Sequence, residues 1–129
     1  IYDFIMEKGG FEEHITESAT NVSGGQRQRL SIARALIRRP DVYVFDDSFS
    51  ALDFKTDAKL RRMLKKETGN AIVMVVAQRI SSIMEADQII VLNEGSIVGT
   101  GTHKELLENC RIYREIALSQ LSEEELSHA

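Results

Sequence analysis

Cysteine is almost missing from this 129-residue sequence: Cys110 stands alone. No internal disulfide can form, and a lone free thiol fits a reducing, cytoplasmic compartment. Proline occurs once, at Pro40, and glycine eight times, which excludes collagen-like and low-complexity disordered chains. Long hydrophobic runs are scarce too. The longest, Ala71 to Ala77, falls far short of the ~20 residues that span a bilayer, and no segment reads as a signal peptide. There is also no excess of positive charge. Sixteen Lys and Arg against twenty Asp and Glu give a formal net charge of -4, so the footprint of a phosphate-backbone binder is missing and no nucleic acid partner is expected.

What remains is 43% hydrophobic and 28% charged, the balance of a globular chain of one domain's length. The first residue is Ile rather than Met, and Tyr2 to Glu7 reads as the middle of a helix, so the sequence is expected to be part of a longer one. A polar stretch, Glu12 to Asn21, leads into Ser23-Gly24-Gly25-Gln26. A helical pattern follows through Ile37, with Leu30, Ala33, Leu36 and Ile37 as its apolar face, and Pro40 stops it. Val42 to Phe45 is a short apolar run ending in Asp46-Asp47, and Ala71 to Ala77 is a second, apolar at every position. Strands of that kind belong to a parallel sheet covered by helices on both faces. Between them Asp53 to Glu67 reads as a helix with Leu60, Met63 and Leu64 buried, giving a βαβ order.

Gln88 to Leu92 and Ser96 to Val98 flank Asn93-Glu94-Gly95, a hairpin signal, so the sheet is expected to gain antiparallel strands. Thr102 and Glu105 are spaced as a capping box, and Ile112, Tyr113 and Ile116 mark a last amphipathic helix. His103 reads as a surface helix residue rather than a metal ligand, because no Cys or second His stands at ligand spacing. The acidic end, Ser122 to Ala129, is too polar to pack and is expected to be disordered.

Ser23-Gly24-Gly25-Gln26 suits a phosphate. Two glycines let the backbone come close, the Ser hydroxyl can donate, and a helix N-terminus supplies amides and partial positive charge. The run VSGGQRQRLSIARAL from Val22 to Leu36, then the apolar strand with Asp46-Asp47, then Ser50-Ala51-Leu52-Asp53, resembles the ATP-binding-cassette (ABC) nucleotide-binding domain: its signature motif, Walker B strand and D-loop in family order. The resemblance covers about Asp3 to Leu121. Asp3-Phe4-Ile5, Gly101 to Leu107 and Ile112-Tyr113-Arg114 are similar to the multidrug-type exporters of that family.

The resemblance implies an α/β fold: a P-loop NTPase (RecA-like) parallel sheet flanked by helices, incomplete, plus part of the ABC helical subdomain. Residues 1–39 would be the helical subdomain with the signature helix, and 40–121 the Walker B, D-loop and switch region. No Gly-Lys pair occurs in the chain, so the G-x-x-x-x-G-K-[ST] phosphate loop is not in it. The chain therefore reads as the C-terminal part of the domain, inactive by itself.

In such domains each site pairs one subunit's Walker loops with the other subunit's signature. Ser23, Gly24, Gly25 and Gln26 would then contact ATP, Asp46 would hold Mg²⁺ through water, and Asp53 would touch the opposite site. The catalytic Glu of the family is Asp47 here, its carboxylate drawn back by one methylene from a water that needs a hydrogen bond of ~2.6 to 3.2 Å. Gln78 stands at the switch-histidine position and cannot become cationic. Glu17 falls at the exporter contact-loop position, although Thr16-Glu17-Ser18-Ala19 departs from the usual Gly-containing pattern. The implied protein is an exporter ATPase subunit at the cytoplasmic face of the membrane. Its own transmembrane domain would lie upstream, and its partner would be a second half-transporter with consensus catalytic residues. A soluble ABC-type ATPase of DNA repair or translation and a noncatalytic interaction module are the alternatives.

Overall fold

A computed structural model describes residues 1–120; the acidic end Ser122 to Ala129 lies outside them. Helices α1 (Tyr2–Lys8) and α2 (Gly24–Ile37) precede strand β1 (Val42–Asp46), helix α3 (Phe54–Glu67) and strand β2 (Ile72–Val76). A hairpin of β3 (Ile89–Asn93) and β4 (Ser96–Gly101) follows, then α4 (His103–Asn109) and α5 (Arg111–Gln120). The chain divides into two units, Ile1–Val76 and the part from Ala77 onward.

In the first unit β1 and β2 pair in parallel, Val42 opposite Ile72 and Asp46 opposite Val76, with α3 as the crossover that such a pair requires. Tyr43, Phe45, Phe49, Leu52, Ile32 and Leu64 form the core. The rings of Tyr43 and Phe45 stack at 6.0 Å, and Phe49 tilts against Phe45 at 5.6 Å. Each such buried side chain contributes about 1.5–3 kcal/mol.

Burial differs from the sequence pattern at three places. On α2 the stripe runs through Ile32 and Leu36, an i, i+4 pair, while Ile37 is 84% exposed in the last turn. On α3, Leu64 is buried and Leu60 packs beside it, but Met63 points outward. Strand β1 is covered on one face only: Val42 and Val44 are exposed opposite Tyr43 and Phe45, and on β2 Ile72, Met74 and Val76 share that open face, while Val73, on the Tyr43 side, is exposed as well.

In the second unit the antiparallel hairpin forms a two-stranded sheet of its own rather than extending the parallel one. Its turn needs two left-handed residues, and Glu94 (φ 48°) and Gly95 (φ 77°) supply them. Ile89 and Val91 face a core of Ile80, Leu106, Cys110, Tyr113 and Ala117. Backbone and helix come close at Gly99, where a Cβ would sit 2.9 Å from Cys110 Sγ. Thr102 opens α4 through the expected capping box with Glu105.

His103 is not the surface residue its place in that turn suggested. It is 4% exposed, because α5 brings Tyr113 over it: Nδ1 and the Tyr113 hydroxyl share a 2.6 Å hydrogen bond. Among the described residues its Nε2 has no partner.

Candidate functional site

Asp46 and Asp47 stand at the C-terminal edge of the parallel pair, the edge where α/β sheets bind ligands. Asp46 ends β1, and its carbonyl accepts from Ser48 Oγ at 3.2 Å. Asp47 turns the chain out of the strand with φ 46°, a left-handed conformation that Asp adopts more readily than most residues. Its amide donates to Val76 O at 3.1 Å. Its carbonyl accepts from Ser50 N at 3.4 Å, Ser50 Oγ at 3.0 Å and Gln28 Nε2 at 3.3 Å. Both carboxylates lie on the exposed surface.

The loop after Asp47 is anchored by buried Phe49 and Leu52 and ends at Asp53, which caps α3 by accepting from Thr56 N at 2.9 Å. The bonds from Thr56 hold the Asp53 carboxyl below its ordinary range.

Ser23 opens α2 with a complete capping box. Its Oγ accepts from Gln26 N at 3.2 Å, while its own amide donates to Gln26 Oε1 at 2.7 Å. The S-x-x-Q spacing was a signal for this box. Gln26 is thereby engaged within the turn, and the Gly24 and Gly25 amides remain as first-turn donors of a 14-residue helix that carries no acidic residue there. Partial positive charge at that end is left uncompensated. Gly25 also packs closely: a Cβ on it would lie 3.1 Å from Ala51 O.

The structure thus joins the helix start Ser23 to Gln26 with the loop 50–53, and that loop with Asp46 and Asp47. Gln78 belongs to the second unit. Its carbonyl accepts from Gln120 Nε2 at 2.9 Å, and Gln120 Oε1 also accepts from Ile80 N. Neither Gln28 nor Gln120 was singled out by sequence. A glutamine on an exposed-looking helix position carries no periodic signal, and its partners lie 19 to 42 residues away in sequence.

Among the described residues no group of three or more His, Cys, Asp or Glu could cage a metal ion. Mg²⁺ is in general held by one or two carboxylates, with water and substrate phosphates completing the octahedron, rather than by such a cage. Glu17 is exposed at the start of a short 3-10 turn, Glu17–Ala19. Arg27 donates to Ser18 O at 3.0 Å, which ties that turn to α2.

Residues 3–50, from α1 to the loop after β1, match the family model described as ABC transporter. The chain is homologous to ABC exporter ATP-binding proteins. It is 53% identical over 118 residues to an uncharacterized ABC transporter ATP-binding protein of Mycobacterium bovis, covering 92% of this chain and 20% of that protein. It is 42% identical over 113 residues to a Rickettsia typhi protein carrying the name export ATP-binding/permease protein, covering 88% and 20%. Among solved structures, a bacterial Atm1-family ABC exporter with ATP bound is similar with a TM-score of 0.88 and 32% identity, over 94% of this chain and 22% of that one. The chain therefore spans about a fifth of the length of these relatives. Its mixed α/β architecture is that of an ABC ATPase domain segment.

Proposed function

We propose that this chain is part of the ATP-binding component of an ABC exporter and serves as the degenerate-site subunit of a heterodimer. The observation that carries the reading is the contrast inside one structural unit. A glycine-rich helix start with uncompensated partial charge packs against loop 50–53, while the carboxylate after Asp46 is the short Asp47. Ser23, Gly24, Gly25 and Gln26 present the signature side to ATP bound on a partner subunit, and Asp53 reaches toward that site. On this chain's own side Asp46 holds Mg²⁺ through water. Asp47 sits too far back to align the attacking water, and Gln78 cannot supply a cationic imidazole. A well-placed general base accelerates by ~10² to 10⁴, so this side binds nucleotide better than it hydrolyses it.

Residues 1–39 act as the helical subdomain and 40–121 as the Walker B, D-loop and switch region. The permease in the Rickettsia typhi name and the relatives' greater length support an upstream membrane domain, and in this reading the chain works at the cytoplasmic face. Among the described residues no helix is long and apolar enough to cross a membrane.

The test uses the assembled full-length transporter. Gly24→Asp places a carboxylate at the helix start, where a phosphate would come. It fits sterically, since a Cβ there meets Ala51 Cβ at an ordinary 3.6 Å, and an acidic first turn favours the helix. ATPase turnover should collapse, whereas Asp47→Asn should leave most of it. Equal, severe losses would mean that Asp47 is a working base in a symmetric homodimer, and the heterodimer reading would fall.

A further inference from the structure

Gln28 bridges two elements with one side chain. Its Nε2 donates to Asp47 O (3.3 Å) and to Ser50 Oγ (3.2 Å), and its Oε1 accepts from Ala51 N (3.1 Å). A primary amide carries donor and acceptor on one planar group, so these bonds hold the chain from Asp47 to Ala51 in a single register against α2. The same interface is tight at Gly25, where a Cβ would lie 3.1 Å from Ala51 O. Asp47 is the residue that most needs holding. Its left-handed backbone is disfavoured, and the direction of its carboxylate follows from that φ and from a carbonyl fixed partly by Gln28.

We infer that Gln28 is a positioning residue that locks the Ser23–Gly25 helix start to the Asp46–Asp47 carboxylates, so that neither can shift without the other. This rests on the nucleotide-site reading given above. Each bond is near the surface and open to competition from water, so the three together, rather than any one, set the register. Gln28 touches neither nucleotide nor water in this assignment; it acts through the two groups it connects. Loss of the lock therefore acts on turnover at the partner's site, through the Ser23–Gly25 helix start, rather than on nucleotide affinity, since small misplacements of groups that face the reacting atoms lower rate by about tenfold to a hundredfold.

The experiment compares Gln28→Met and Gln28→Glu in the assembled full-length transporter. Methionine keeps the length of the side chain and loses all three bonds. Glutamate keeps the acceptor for Ala51 N and loses both donations. Both should lower kcat for ATP by about tenfold or more with KM within about twofold. Hydrogen exchange of the Ala51 amide should speed up in Gln28→Met and stay near wild type in Gln28→Glu. The inference is overturned by kcat within about twofold of wild type in both variants, by KM rising as much as kcat falls, or by unchanged Ala51 exchange in Gln28→Met. If both variants lose thermal stability and nucleotide binding together, Gln28 is merely structural and the inference also falls. A wild-type transporter that turns over no ATP would instead sink the nucleotide-site reading, and the Ala51 exchange comparison would still decide whether Gln28 holds the loop.

Discussion

At the scale of single residues, Asp47 combines a backbone demand with a chemical one. Its φ of 46° disfavours an L-residue by roughly 1–2 kcal/mol, and Asp is among the residues that tolerate it best. Asp47→Gly should therefore raise stability by up to about 1 kcal/mol in thermal melts, while abolishing any role of the carboxylate. On the heterodimer proposal, Asp47→Glu with Gln78→His in the full-length protein should restore some hydrolysis, read with the proposed partner's catalytic Glu disabled; no gain would place the defect elsewhere. His103 sets a different dependence. Burial lowers its pKa, so the fold keeps it neutral while an unfolded chain takes up a proton near pH 6.5. The unfolded state then binds more protons, and stability falls as pH drops below that value. Burial pushes the Tyr113 hydroxyl up to about 12. The fold holds that proton where the unfolded chain releases it, and stability falls again from about pH 10 upward. Urea midpoints measured across pH should show both limbs, and His103→Phe should flatten the one nearest neutrality. The contributions of Asp53 and Glu105, held low by Thr56 and Thr102, are lost only at lower pH, below about 4. None of this was legible at His103. The capping box identified its turn, but nothing local to 102–105 says that Tyr113, ten residues on, will cover it.

At the scale of elements, capping chemistry was the most legible layer. Thr102 with Glu105 marked the start of α4, and Pro40 agreed with the end of α2. Thr102→Ala should destabilise by about 1 kcal/mol. Faces were less legible. Where every residue of a strand is apolar, as in β2, alternation cannot say which side is covered; here the answer depends on Tyr43, Phe45 and Phe49 filling one side with rings. Phe45→Ala should remove about 3–5 kcal/mol through the cavity it leaves. Val44→Ala, on the exposed face, should change stability far less, and denaturant titration of the pair separates the two faces directly. The carboxylates and the glycine turn could be picked out as candidates through the family resemblance. The amide of Gln28 that links them could not, because side chain to backbone bonds across 19 to 23 residues leave no pattern in sequence.

At the scale of the whole chain, the uncovered strand face is a surface that water disfavours. Val42, Val44, Ile72, Met74 and Val76 lie together there, and contiguous apolar patches drive association. The 129-residue chain by itself should self-associate in a concentration-dependent way by light scattering; a monomer at every concentration would contradict this. With no Gly-Lys phosphate loop in its sequence, it should also show no saturable ATP binding in the micromolar range by calorimetry. The two sheets differ further in how far the chain must travel to make them. In the parallel pair Val42 meets Ile72, thirty positions on, whereas in the hairpin Asn93 meets Ser96, three positions on. Hairpins close within about 1–10 μs, but distant pairing must first overcome the entropy of closing a longer loop, which slows it. During refolding the amides of β3 and β4 should therefore become protected before those of β1 and β2. The edge that carries Asp46 and Asp47 would then be among the last features to take shape.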